Sequence, residues 1–129
     1  MRKAVATFLR YLSTERNASE LTLKSYREDL MGLIAYLEDE TASCPKPGKV
    51  SMMQLRGYVA SLHEAGYAKS TIARRLASLR RFYRFGQREG WTKTNPAKAL
   101  RNPRTSKPLQ HFHLHLIHIY TRRLSHSYN

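Results

Sequence analysis

Between residues 70 and 85 the chain reads STIARRLASLRRFYRF, a stretch with the apolar spacing of a core-facing helix that nonetheless carries five arginines. On an α-helix, at ~100° per residue, Ile72, Leu76, Leu79 and Tyr83 share one stripe, with Phe82 beside it and Gly86 closing it one turn on. Opposite that stripe, at spacings of four and three, run Arg74, Ser78, Arg81, Phe85 and Arg88, while Arg80 and Arg84 widen the band. A planar guanidinium presents paired donors that suit a phosphate or the edge of a guanine, so the chemistry open to this band is polyanion recognition. A merely solvated helix face is the alternative. Such faces commonly carry acidic partners one turn away, and this helix has none before Glu89. Ala77 and Ser78, both small, would let a backbone approach closely.

The charge balance points the same way. The chain holds 23 Lys and Arg against 9 Asp and Glu, a formal net charge of +14. Residues 1–65 contain nine basic and eight acidic side chains, whereas residues 66–129 contain fourteen basic ones against Glu89 alone. A one-sided field of this kind repels itself and weakens the compact state unless a polyanion offsets it. Double-stranded DNA or RNA is the leading candidate, ahead of an anionic membrane surface. No apolar run approaches the ~20 residues needed to span a bilayer, and Arg10 and Glu15 interrupt the N-terminal apolar stretch, so no signal peptide is read. The single cysteine, Cys44, excludes a disulfide framework within one chain, and a reducing, cytoplasmic setting is expected.

The elements that must position these groups are helical. A first helix over roughly residues 2–15 aligns Val5, Phe8, Leu9 and Leu12 and ends at RNAS. A second begins after Ser19, a suitable N-cap, and aligns Leu23, Tyr26, Leu30, Leu33, Ile34 and Leu37 through about Asp39. TASCPKPGKV then reads as a loop. Ser51 caps a third helix with Leu55, Tyr58, Val59 and Leu62 inward and Gly66 as its stop. The fourth is the arginine helix, from Lys69 or Ser70 to Gly90. The expectation is an all-α, four-helix domain over 1–90, a basic linker over 91–109 with Trp91 packed back on the core, and an irregular tail over 110–129.

Three segments together carry a family likeness: FLRYLSTERNASELTLKSYREDL, with Thr22, Tyr26, Arg27, Asp29 and Leu30 in a Thr-x-x-x-Tyr-Arg-x-Asp-Leu pattern; GYAKSTIARRLASLRRFYRF; and EGWTKTNPAKAL followed by KPL. In this order they resemble the N-terminal core-binding domain of the tyrosine recombinases, of the Xer type and of integron or phage integrases, over about residues 1–109. The resemblance implies a SAM-like four-helix unit forming half of a clamp around duplex DNA, with a linker crossing to a separate catalytic domain. It also implies other recombinase subunits as partners and, in intact relatives, site-specific recombination and DNA integration. The nucleophilic tyrosine and its assisting arginines, lysine and histidines belong to that second domain, so none is carried over; His118 and Tyr120 are not candidates. After Leu109 the sequence departs from the family into QHFHLHLIHIYTRRLSHSYN, an ending that looks out of frame, degenerate or unrelated. No catalysis is therefore expected from this chain alone, and no cofactor or small-molecule substrate is implied.

Within that frame each candidate has a role. Lys69, Ser70 and Thr71, at a helix start where backbone amides and hydroxyls suit phosphate, would anchor the backbone, while Arg74, Ser78 and Arg81 would face the groove. Arg80, Arg84 and Arg88 complete the set on this helix. Arg75 falls nearer the core stripe, and its structural and binding readings stay open. Thr22, Lys24 and Ser25 would approach phosphates from the second helix, whereas Arg27 could equally pair with Asp29 or Glu28. Arg101, Arg104 and Lys107 would track the backbone electrostatically. His111, His113 and His115 alternate as zinc ligands on a strand would, but alternate strand residues do not converge on one ion without a turn, so no metal site is assigned. A stand-alone helix-turn-helix regulator fits HEAGYAKSTIARRL superficially, yet the helix over 52–65 that should cross the phosphates is nearly without positive charge. A SAM-like protein-interaction module is the remaining alternative.

Overall fold

The computed structural model describes residues 1–101. Its helices are α1 (Arg2–Thr14), α2 (Glu20–Thr41), α3 (Met52–Glu64) and α4 (Lys69–Arg88), with one 3-10 turn over Pro47–Lys49 and no strand among the described residues. Local chemistry sets most of their ends. The Ser19 hydroxyl accepts the Thr22 N–H at 3.2 Å and caps α2. At α3 the cap is reciprocal: Ser51 Oγ accepts the Gln54 N–H at 3.1 Å while Gln54 Oε1 accepts the Ser51 N–H at 2.9 Å, satisfying two otherwise orphaned donors. Both glycine stops behave as expected. Gly66 and Gly90 adopt φ of +85° and +81°, which lets Tyr67 N–H reach the Leu62 carbonyl at 3.2 Å and Trp91 N–H reach that of Gly86 at 2.8 Å.

Helices α2 and α4 each pack against all three of the others. The core between them holds the residues expected from periodicity, among them Phe8, Leu30, Leu37, Leu55, Ile72, Leu79 and Tyr83, each at most 1% exposed. Phe8 sits at its centre, its ring edge-on to Tyr26 and Phe82 at centroid distances of 5.7 and 5.6 Å. Two boundaries differ from expectation. TASCPKPGKV is not wholly a loop: α2 runs on to Thr41, and the turn at Pro47 buries Pro47 and Val50. The core also passes the boundary expected at residue 90. Trp91 packs on Phe85 at 5.3 Å as anticipated, and beyond it Ala97 and Leu100 are 0% and 4% exposed, so the chain folds back along α4 instead of leaving as an extended linker. Asn95 makes that return, donating to the Arg80 carbonyl at 3.3 Å and accepting the Ala97 N–H at 3.0 Å. Arg104, Lys107, His111, His113 and His115 lie outside the described residues.

Candidate nucleic-acid interface

The outer face of α4 is built from Ser70, Arg74, Ala77, Arg81, Arg84 and Arg88, all exposed and spaced by four and three. It is the expected cationic band, turned by part of a helical step. Ser78 and Phe85, expected on that band, are 4% and 5% exposed and face the interior. The reason for the turn is a buried carboxylate on α2. Asp29, 1% exposed, accepts the Ser78 hydroxyl at 2.7 Å and the Arg74 guanidinium at 2.8 Å. Burying a carboxylate is costly unless it is fully hydrogen-bonded, and drawing Ser78 inward supplies one of the required donors. Ser78 is therefore removed from the groove-facing set, and its exposed position is taken by Ala77.

Arg75 takes the structural reading. Its side chain is 16% exposed, its guanidinium donates to the Tyr58 hydroxyl at 3.1 Å and lies 4.8 Å from the Tyr67 ring centroid, and its Nε stands 3.8 Å from Asp29 without hydrogen-bonding to it. Burial works to lower the Arg75 pKa, but the hydrogen bond to Tyr58 and the fields of Tyr58, Tyr67 and Asp29 outweigh it and raise it. Arg27, exposed, pairs with neither Asp29 nor Glu28.

The other arginines of α4 keep their charge available. Arg81 donates to the Tyr26 hydroxyl at 2.8 Å, a neutral acceptor that orients the guanidinium without neutralising it. Arg84 has no hydrogen bond or ion pair among the described residues. Arg88 lies 4.9 Å from the Tyr11 ring centroid and 3.9 Å from Glu15, a solvent-exposed pair of the kind worth at most about 1 kcal/mol. Arg80 donates to the Leu100 carbonyl and is half-buried. Arg74 is the exception. It remains half-exposed but is already paired with Asp29.

On α2, Tyr26 and Asp29 hold the N-terminal half of the helix against α4, and Thr22 and Ser25 share their helical face. Thr22 and Lys24 are exposed and Ser25 is half-buried. The first turn of α4 places Lys69 and Ser70 in solvent and Thr71 partly so; its N-cap, Ala68, supplies no side-chain acceptor, in contrast to Ser19 and Ser51. Arg101 is exposed at the end of the returning segment.

Two concavities of about 220 Å³ each flank the stripe and share Arg81 and Arg84. One adds Arg16 and Arg88 above a floor of Phe8, Tyr11 and Phe85, the last two rings stacked at 4.5 Å. The other adds Arg80, Gln87, Asn95 and Lys98. Arg16 and Lys98 were missed by sequence reasoning, since each lies outside the periodic pattern of α4 and joins it only through tertiary packing. A larger open groove of about 1020 Å³, lined by Met1, Lys3, Pro47 and Trp91 among others, shares no lining residue with either. Among the described residues no cluster of three or more His, Cys, Asp or Glu side chains is arranged to hold a metal ion, and no helix is long and apolar enough to cross a membrane.

Fold and surface together define an all-α, SAM-like four-helix domain whose cationic face is carried by a helix, α4, with no acidic residue of its own. The chain belongs to the family described as phage integrase, N-terminal SAM-like domain, which residues 5–90 match. It is 38% identical over 108 residues to the tyrosine recombinase XerC of Oceanobacillus iheyensis, covering 84% of this chain and 35% of the relative. It is equally similar, with the same coverage, to XerC of Halalkalibacterium halodurans, and 35% identical over 108 residues to the tyrosine recombinase XerD of Chlorobaculum tepidum, covering 84% and 34%. The chain thus spans about a third of the length of these curated relatives and is homologous to their N-terminal core-binding domain. No solved structure matches it.

Proposed function

We propose that this domain binds double-stranded DNA, laying the outer face of α4 and the first turns of α2 along the phosphates. The observation that carries the reading is the line Arg81, Arg84 and Arg88, exposed on a helix with no acidic residue between Lys69 and Arg88. Arg81 and Arg84 reach the groove or its rim, Arg88 a flanking phosphate, and Lys24, Lys69, Ser70 and Thr22 the backbone. Arg74, held by Asp29, contacts DNA in a fixed orientation. In a whole recombinase such a domain acts beside a catalytic domain and other recombinase subunits. In this reading the 129 residues bind without cutting, since the part of a recombinase that residues 5–90 match is its N-terminal domain. The helix-turn-helix reading fares worse, because α3 offers Arg56 as its one Lys or Arg for crossing the phosphates.

The test is a fluorescence-anisotropy titration of the full chain with a labelled duplex between 50 and 200 mM salt. About five neutralised phosphates give a slope of log K against log salt near −4.5, hence a loss of affinity of about 500-fold over that range. Binding that ignores salt, or appears only with an acidic protein, would refute the reading.

A further inference from the structure

We propose that the notch between α4 and the returning segment is a seat for one phosphodiester group of duplex DNA, built jointly by both. The inference rests on the DNA-binding reading above and deepens it by assigning a discrete phosphate position and a residue, Lys98, that lies off the arginine helix. The notch is lined by Arg80, Arg81, Arg84, Lys98, Gln87 and Asn95: four cations, two amides and no carboxylate. Four like charges converging on about 220 Å³ repel one another, and nothing in the lining neutralises them.

The walls are nevertheless fixed in place. Asn95 bonds the Arg80 carbonyl and the Ala97 N–H at 3.3 and 3.0 Å, Gln87 donates to the Lys93 carbonyl at 3.1 Å, and Arg80 donates to the Leu100 carbonyl. These bonds, with Ala97 and Leu100 buried beneath, hold the two backbone segments that carry the cations side by side despite the repulsion. A site that bears this cost is matched to an anion with several acceptor oxygens, which a phosphodiester supplies and which charge-assisted N–H donors bind strongly. Arg81 and Arg84 belong both to the notch and to the outer stripe, so a phosphate seated here continues the track along α4. Binding would then tie residues 95–100 to the duplex.

The experiment compares Lys98→Gln with Lys3→Gln in the full chain. Both side chains are exposed and both changes remove one positive charge, but Lys3 lines the separate large groove. The seat predicts that K98Q reduces the magnitude of the salt slope by about 0.9 and weakens duplex binding by about tenfold near 0.1 M salt, while K3Q leaves the slope in place. Equal changes in the two variants would overturn the seat while leaving DNA binding intact. Absence of salt-dependent duplex binding by the unaltered chain would instead overturn the underlying reading. Inorganic phosphate, titrated while side-chain NMR signals of Arg84 and Lys98 are followed, separates the sources: saturable shifts accompanied by an unchanged K98Q slope would mark a free-anion site and refute the duplex assignment.

Discussion

Replacing Asp29 by alanine tests the packing logic of the whole cationic face. The carboxylate is 1% exposed and holds two donors, the buried Ser78 hydroxyl at 2.7 Å and the Arg74 guanidinium at 2.8 Å. Loss of a hydrogen bond to a charged acceptor costs about 1.5–3 kcal/mol, and Ser78 would be left buried with no acceptor in its place. The Arg74 bond is discounted to about 0.5–1 kcal/mol, because that side chain is 51% exposed and water can replace its partner. Arg75, 3.8 Å away, loses a nearby counter-charge but keeps Tyr58. The total is about 3 kcal/mol, read as a fall in the urea midpoint at constant slope and as a drop in Tm of order 10–20 °C for a domain of this size. Ser78→Ala alone should cost about 1–2 kcal/mol, and the double variant should fall short of the sum by about 1 kcal/mol or more, since both remove the same bond. A loss below about 1 kcal/mol for Asp29→Ala, or strict additivity in the cycle, would refute the argument that this carboxylate sets the rotation of α4.

Further predictions concern the rest of the fold. Ser51→Ala should lower stability by about 1 kcal/mol in denaturant, because it removes the hydroxyl that accepts the Gln54 N–H and leaves only the reciprocal bond from the Ser51 N–H to Gln54 Oε1. Tyr83, whose hydroxyl is buried without a hydrogen-bond partner among the described residues, should tolerate phenylalanine with no loss and a gain of up to about 1 kcal/mol at neutral pH. Burial raises the Tyr83 pKa, so the folded state holds its proton more tightly than the unfolded one; stability should fall as pH rises past about 10 in the unaltered chain and fall less in Tyr83→Phe, as thermal melts across that range would show. Cys44 is half-buried and desolvation raises its thiol pKa, so alkylation by iodoacetamide at pH 8 should run slower than for a free cysteine and reach the free rate in urea.

Much of this was legible from residue order. Helical periodicity placed Ile72, Leu76, Leu79 and Tyr83 inside, the serines before α2 and α3 marked their caps, and Gly66 and Gly90 marked two ends, because each is a local matter of backbone geometry and of donors needing acceptors. The concentration of charge in the second half needed only counting. What tertiary structure alone decided was which flank of α4 meets solvent. A helix fixes the angle between side chains but not the arc that its neighbours cover, and Ser78 and Phe85 stand where either outcome was open. Asp29, 49 positions from Ser78 in the chain, closed that choice, as the return of Ala97 and Leu100 closed the question of where the core ends. Contacts of such separation leave no periodic trace in a sequence, since they depend on how whole helices pack.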